Sequence, residues 1–162
     1  MECLRELAKD EFQPQTSTKF DGRGPYQQVN FIEAVLQNTV ATIPDRRIIN
    51  TKDVLAAMAP RDNSNISSSV RLVEVRIQYP FPFYMAQNTF LKLFESINID
   101  PYVLHLIRLN SVGFYQFPKP SARKNDPENS SYYLSTLYYA LAWSFNPKTR
   151  EVKAVLLTRG FK

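Results

Sequence analysis

The side chains of this chain that can do chemistry are few and widely spaced. The only histidine, His105, falls on the polar side of a helical stretch, near Arg108 and opposite Val103. With a single cysteine, Cys3, it lacks the partners from which a transition-metal site is built. Cys3 stands near the N-terminus with no neighbour that would activate its thiol, and one cysteine forms no internal disulfide, so a reducing, cytoplasmic setting is expected. Paired carboxylates need burial or mutual interaction to take separate acid and base roles. Here Glu74 sits on the polar side of an alternating run, and Asp45, Asp53, Asp62, Asp100 and Asp126 fall in caps or turns. Gly22-Arg23-Gly24 lacks the Lys-Ser/Thr of a phosphate-cradling loop, and no nucleophile-elbow, zincin or dinucleotide pattern occurs. No catalytic residue, metal or cofactor is therefore expected. An enzyme on this chain would need a site gathered from scattered residues.

What the chain does have is charge in one place. Its net charge is +5. Residues 1–118 balance, with 12 Lys/Arg against 12 Asp/Glu, whereas residues 119–162 hold 8 Lys/Arg against 3 Asp/Glu, so 8 − 3 = +5. The candidate contact residues are Lys119, Arg123, Lys124, Lys148 and Lys153. Such a patch attracts an acidic protein, nucleic acid or an anionic surface, or simply keeps a solvated face soluble.

The elements that must carry these residues are legible in the pattern of apolar positions. At 162 residues the chain suits one domain with its own core. Residues 1–12 read as a charged amphipathic helix rather than a secretory leader, so Asn65-Ile66-Ser67 and Asn129-Ser130-Ser131 are read as chance glycosylation patterns. Residues 13–25 and 61–69 are polar loops. "YQQVNFIEAVLQNT" (26–39) places Val29, Ile32 and Leu36 at helical spacing. "KDVLAAMA" is a short helix capped by Thr51 and stopped by Pro60. In "VRLVEVRIQY" (70–79) strict alternation describes a half-buried strand. Residues 88–110 break at Asp100-Pro101 into two helices, the first capped by Asn88 or a neighbour. Residues 111–117 form a strand, and 118–131 a proline-marked, disordered loop. No apolar stretch approaches the roughly 20 residues that span a bilayer. The segment 132–158 folds as a hairpin of two strands about Asn146–Thr149, with Tyr139, Trp143 and Phe145 turned to the core. The fold class is thus α+β: a small mixed or antiparallel sheet with a C-terminal β-hairpin and helices on one face.

The succession "FLKLFESINIDPYVLHLI", "SVGFYQF" and "SYYLSTLYYALAWSFNPKTREVKAVLL" resembles the soluble cytosolic domain of fungal CorA-like, magnesium-transporter-like proteins. The matching positions are Phe90, Leu93, Phe94, Pro101, Leu104, Gly113, Phe114, Tyr133, Trp143 and Asn146, across residues 70–160. The Gly-Met-Asn pore signature and the membrane helices of that family are missing from this sequence, so conduction does not carry over. The resemblance implies a cytosolic α/β domain that senses or binds.

The resulting expectation is a non-catalytic interaction or regulatory domain that meets an acidic protein partner through its basic loop and hairpin end. Its rivals are a nucleic-acid-binding domain using the same patch, and a small enzyme or ligand-binding domain with an aromatic-lined pocket. A secreted effector cut from a longer precursor is disfavoured by Met1 and the lone cysteine. An exposed hairpin edge also offers a route to a homodimer through strand pairing.

Overall fold

Burial that alternates residue by residue runs through most of the described strands, and the described residues are chiefly sheet. A computed structural model describes Glu6 and residues 28–37, 40–42, 45–59, 66–78, 85–117 and 130–160. Its elements in order are β1 (Gln28–Gln37), β2 (Val40–Ala41), β3 (Asp45–Asn50), α1 (Val54–Met58), β4 (Ile66–Gln78), α2 (Gln87–Ser96), α3 (Tyr102–Arg108), β5 (Gly113–Phe117), β6 (Ser130–Ser135), β7 (Tyr139–Asn146) and β8 (Glu151–Gly160). The strands form one sheet of 8, ordered β2-β1-β4-β8-β7-β6-β5, with β3 also paired to β1. Every pair is antiparallel except β4 with β8. This is the expected α+β class.

Register assigns the two faces. Phe31 lies opposite Val73, Val73 opposite Val155, Val155 opposite Ala142, and Ala142 opposite Tyr133. These residues share one face, and all are essentially inaccessible. The three helices pack there, contributing Val54 and Met58 from α1, Phe90, Leu93 and Phe94 from α2, and Val103, Leu104, Leu106 and Ile107 from α3. Each large apolar side chain so enclosed stabilises the fold by about 1.5–3 kcal/mol relative to exposure. Between α2 and α3 the Asp100 Oδ1 accepts the Tyr102 N–H at 2.9 Å, but Pro101, expected at the first helical position, is itself the N-cap of α3. Two further bonds anchor this corner to the sheet. The Ser144 hydroxyl donates to the Ile97 carbonyl, and the Asp100 N–H donates to the Ser131 hydroxyl at 3.1 Å.

Several expectations are corrected. Residues 28–37 are a strand, not a helix. Val29, Phe31 and Glu33 are buried at period two, and Ile32 and Leu36, which suggested helical spacing, lie on the other face. Residues 132–145 are two strands rather than one. The Thr136 Oγ1 accepts the N–H groups of Tyr138 and Tyr139, both at 3.2 Å, and reverses the chain. The second reversal occupies 147–150, one residue later than expected, so Phe145 pairs with Val152 and not Arg150. Neither Thr51 nor Asn88 caps its helix: Asp53 and Ala86 occupy those positions, with no side-chain cap bond. The expected loops 61–69 and 118–131 are too long, since residues 66–69 belong to β4 and 130–131 to β6; their remaining residues, the loop at 13–25 and the helix expected over residues 1–12 apart from Glu6 lie outside the described residues.

Candidate interaction surface

Antiparallel pairing brings the ends of β5, β6, β7 and β8 that flank residues 118–129 and the Pro147 turn to one end of the sheet. Phe117 pairs with Ser131, Ser130 with Phe145, and Asn146 with Glu151. The chain therefore leaves β5 and re-enters β6 beside the β7–β8 turn. That turn is built locally. The Asn146 Oδ1 accepts the N–H of Lys148 at 3.0 Å and of Thr149 at 3.3 Å, and Arg150 closes it at φ 51°. The Arg150 carbonyl then accepts the Ser69 N–H at 3.2 Å, which ties the turn to β4. Lys148 and Arg150 are exposed at its tip. Lys119, Arg123 and Lys124 lie outside the described residues, between strand ends that converge on this turn.

Lys153 is placed differently. It points to the helix-covered face, is 8% exposed, and holds its Nζ 3.5 Å from the Glu151 carboxylate. There it belongs to a row of charges crossing the sheet through Glu33, Arg71 and Lys153, which are cross-strand neighbours. Arg71 is the centre, only 2% exposed. Its Nε donates to Glu33 at 3.1 Å, its Nη2 lies 3.4 Å from Glu151, and its Nη1 donates to the Ala59 carbonyl at the end of α1. Arg47 extends the row at the surface, 4.0 Å from Glu33 and with its guanidinium 5.0 Å from the Phe31 ring centre. These ionisable groups satisfy one another, so they read as a structural network. Arg71 has five donors in a rigid fork, which suits it to join two carboxylates and a carbonyl at once.

The opposite face of the sheet carries the large side chains. Trp143, Leu141, Tyr132 and Leu134 stand there half-buried, while Tyr139, Phe145 and Val70 are exposed. The expectation that the hairpin rings turn to the core is thus corrected. The reason is room: Ala140, Ala142 and Ser144 are the small residues of β7, and their side lets the α2–α3 corner approach. Trp143 and Tyr132 stack at 5.1 Å and 15°. Phe114, 60% exposed, lies 6.3 Å from Tyr132 and 6.2 Å from Trp143, so the three rings form one cluster over β5, β6 and β7.

The other candidates resolve quietly. His105 is half-exposed against the Tyr102 ring, with centroids 5.4 Å apart. Glu74 accepts from the Asn30 amide at 2.8 Å and the Thr158 hydroxyl at 3.2 Å on the outer face. Among the described residues no group of three or more His, Cys, Asp or Glu is placed to hold a metal, and no helix is long and apolar enough to cross a membrane. Cys3 lies outside the described residues. Compared with family models, curated proteins and solved structures, the chain matches none.

Proposed function

We propose that this chain is a non-catalytic interaction domain of the cytoplasm that binds an acidic protein partner through the basic end of its sheet. The observation that carries the reading is the convergence of the ends of β5 and β6 on the β7–β8 turn, where Lys148 and Arg150 are exposed. Cations gathered at one end raise the encounter rate with an acidic surface and orient it. Lys153 leaves the proposed contact set because it is enclosed and paired, and Arg150 takes its place. The nucleic-acid rival is less well supported. Base stacking needs open ring faces beside cations, whereas Trp143 and Tyr132 stack on each other within strands that carry no charge between residues 130 and 146.

The test compares an Asp/Glu-rich peptide with a single-stranded oligonucleotide of equal charge, each titrated into wild type and a Lys148→Glu, Arg150→Glu double variant. The expected result is peptide binding that weakens with salt and an association rate about tenfold lower in the variant. Binding of the oligonucleotide alone, with affinity falling log-linearly with salt, transfers the surface to the rival. Peptide binding indifferent to the double variant sinks the proposal.

A further inference from the structure

The two edges of this sheet are unlike. The β3 edge carries Asp45, Arg46 and Arg47, the kind of charge that discourages a second strand from adding. The β5 edge carries none. No charged residue occurs in 109–117 or in 130–146, so the strands β5, β6 and β7 are themselves neutral. Among the described residues β5 pairs only with β6. Exposed apolar side chains crowd beside it: Val112 at 55%, Phe114 at 60%, and Leu137 and Tyr138 at 66% each. Gly113 opens the strand at φ 142°, where a Cβ would come within 3.3 Å of the Tyr115 ring.

From this edge we infer that two copies of the chain pair β5 against β5 in antiparallel register, with the two-fold axis at Phe114. Charge selects the occupant. The chain carries +5, so its copies repel each other except where both surfaces are neutral, and an acidic partner finds no cation within β5 itself to pair with. The exposed ring selects the register. Opposite residues in an antiparallel pair lie about 4.5–5.5 Å apart at Cα, so a two-fold axis at Phe114 sets the two 60% exposed Phe114 side chains next to each other, where each covers the other. A two-fold contact of this kind uses one self-complementary patch. Five residues of strand bury less than the roughly 800 Å² per partner of a standard interface, so the dimer is weak and depends on concentration.

Sedimentation equilibrium over a concentration series reads the monomer–dimer balance. Wild type is expected to dimerise with a constant that holds or strengthens in added salt, the opposite of acidic-peptide binding at the basic end. Phe114→Lys weakens the dimer at least tenfold, whereas Ile48→Lys at the other edge leaves it unchanged. Phe114 and Ile48 are exposed at 60% and 66%, and circular dichroism checks that both variants fold. In a Cys3→Ser background, Phe114→Cys is expected to give a disulfide-linked dimer on oxidation faster than Ile48→Cys, because the two-fold brings its Cα atoms within disulfide range. A wild type that stays monomeric throughout overturns the inference. So does a dimer that persists in Phe114→Lys, or cross-linking no faster at 114 than at 48.

Discussion

Two buried polar side chains show how differently single residues can be accommodated in this core. Arg71 and Tyr133 are both essentially inaccessible and both face the helices. Arg71 is satisfied by two carboxylates and a carbonyl, so removing one partner would leave an uncompensated charge, which costs several kcal/mol. The Tyr133 hydroxyl, in contrast, finds no hydrogen-bond partner. Burial raises its phenol above the ordinary value of 10.0, against weaker opposing pulls from Ser135 and Arg159. The sign of the consequence follows from proton binding. Below that ordinary value the phenol is neutral in both states and costs nothing through titration. As pH climbs past it, the unfolded chain releases the proton while the folded one retains it, so stability from this group declines. Tyr133→Phe is therefore expected to be neutral or stabilising by up to about 1 kcal/mol at pH 7. Its advantage over wild type should widen above about pH 10. Urea midpoints across that range check this, and an advantage that stays flat or shrinks as pH rises contradicts it.

At the scale of elements, strands and helices were legible where a single face is apolar. β4 alternates cleanly through Val73, Val75 and Ile77, and α2 and α3 are broken where Asp100-Pro101 predicts. The turn at Pro147 was legible to within one residue, with Lys148 exposed on it, but the enclosure of Lys153 beside Glu151 was not. β1 was not, because Val29 and Phe31 point inward while Ile32 and Leu36 point outward, and apolar residues on both faces imitate a helical stripe. The Ser135-Thr136 turn was hidden inside a run of aromatics that reads as one strand. The face of β7 was misjudged for a physical reason: size alone favours turning Trp143 inward, but helices resting on a sheet select small residues beneath them. This makes a prediction contrary to hydrophobicity. Ala142→Leu, at a 1% exposed position under the helices, should destabilise by about 1–3 kcal/mol through overpacking. Leu141→Ala, on the outer face, should cost less, about 1 kcal/mol. Equilibrium urea unfolding of the pair decides the matter, and the reverse order of costs would return the rings to the core.

The whole molecule is closed by its last strand. From β4 the chain crosses the sheet through α2 and α3 to the far edge, then returns as the meander β5, β6, β7 and β8 until β8 slots beside β4. Without β8 there are two separate assemblies, β1 to β4 on one side and β5 to β7 on the other, since no described pairing joins them. The joint itself is long: ten parallel pairs run from Ser69 with Glu151 to Gln78 with Gly160. It also completes the charged row, because Glu151 and Lys153 come from β8 while Glu33 and Arg71 come from β1 and β4. A contact between residues this far apart in the chain forms only after its loop-closure entropy has been met, which slows folding into the millisecond-to-second range. Ending the chain at Arg150 should accordingly abolish cooperative unfolding: it removes a central strand, three buried apolar side chains (Ala154, Val155 and Leu157) and one of the two carboxylates that hold Arg71. Supplying residues 151–160 as a separate peptide should restore a cooperative transition whose midpoint rises with peptide concentration, since binding to the folded state adds stability by mass action. A shortened chain that unfolds cooperatively at the wild-type midpoint would show that the two half-sheets are joined by something other than β8.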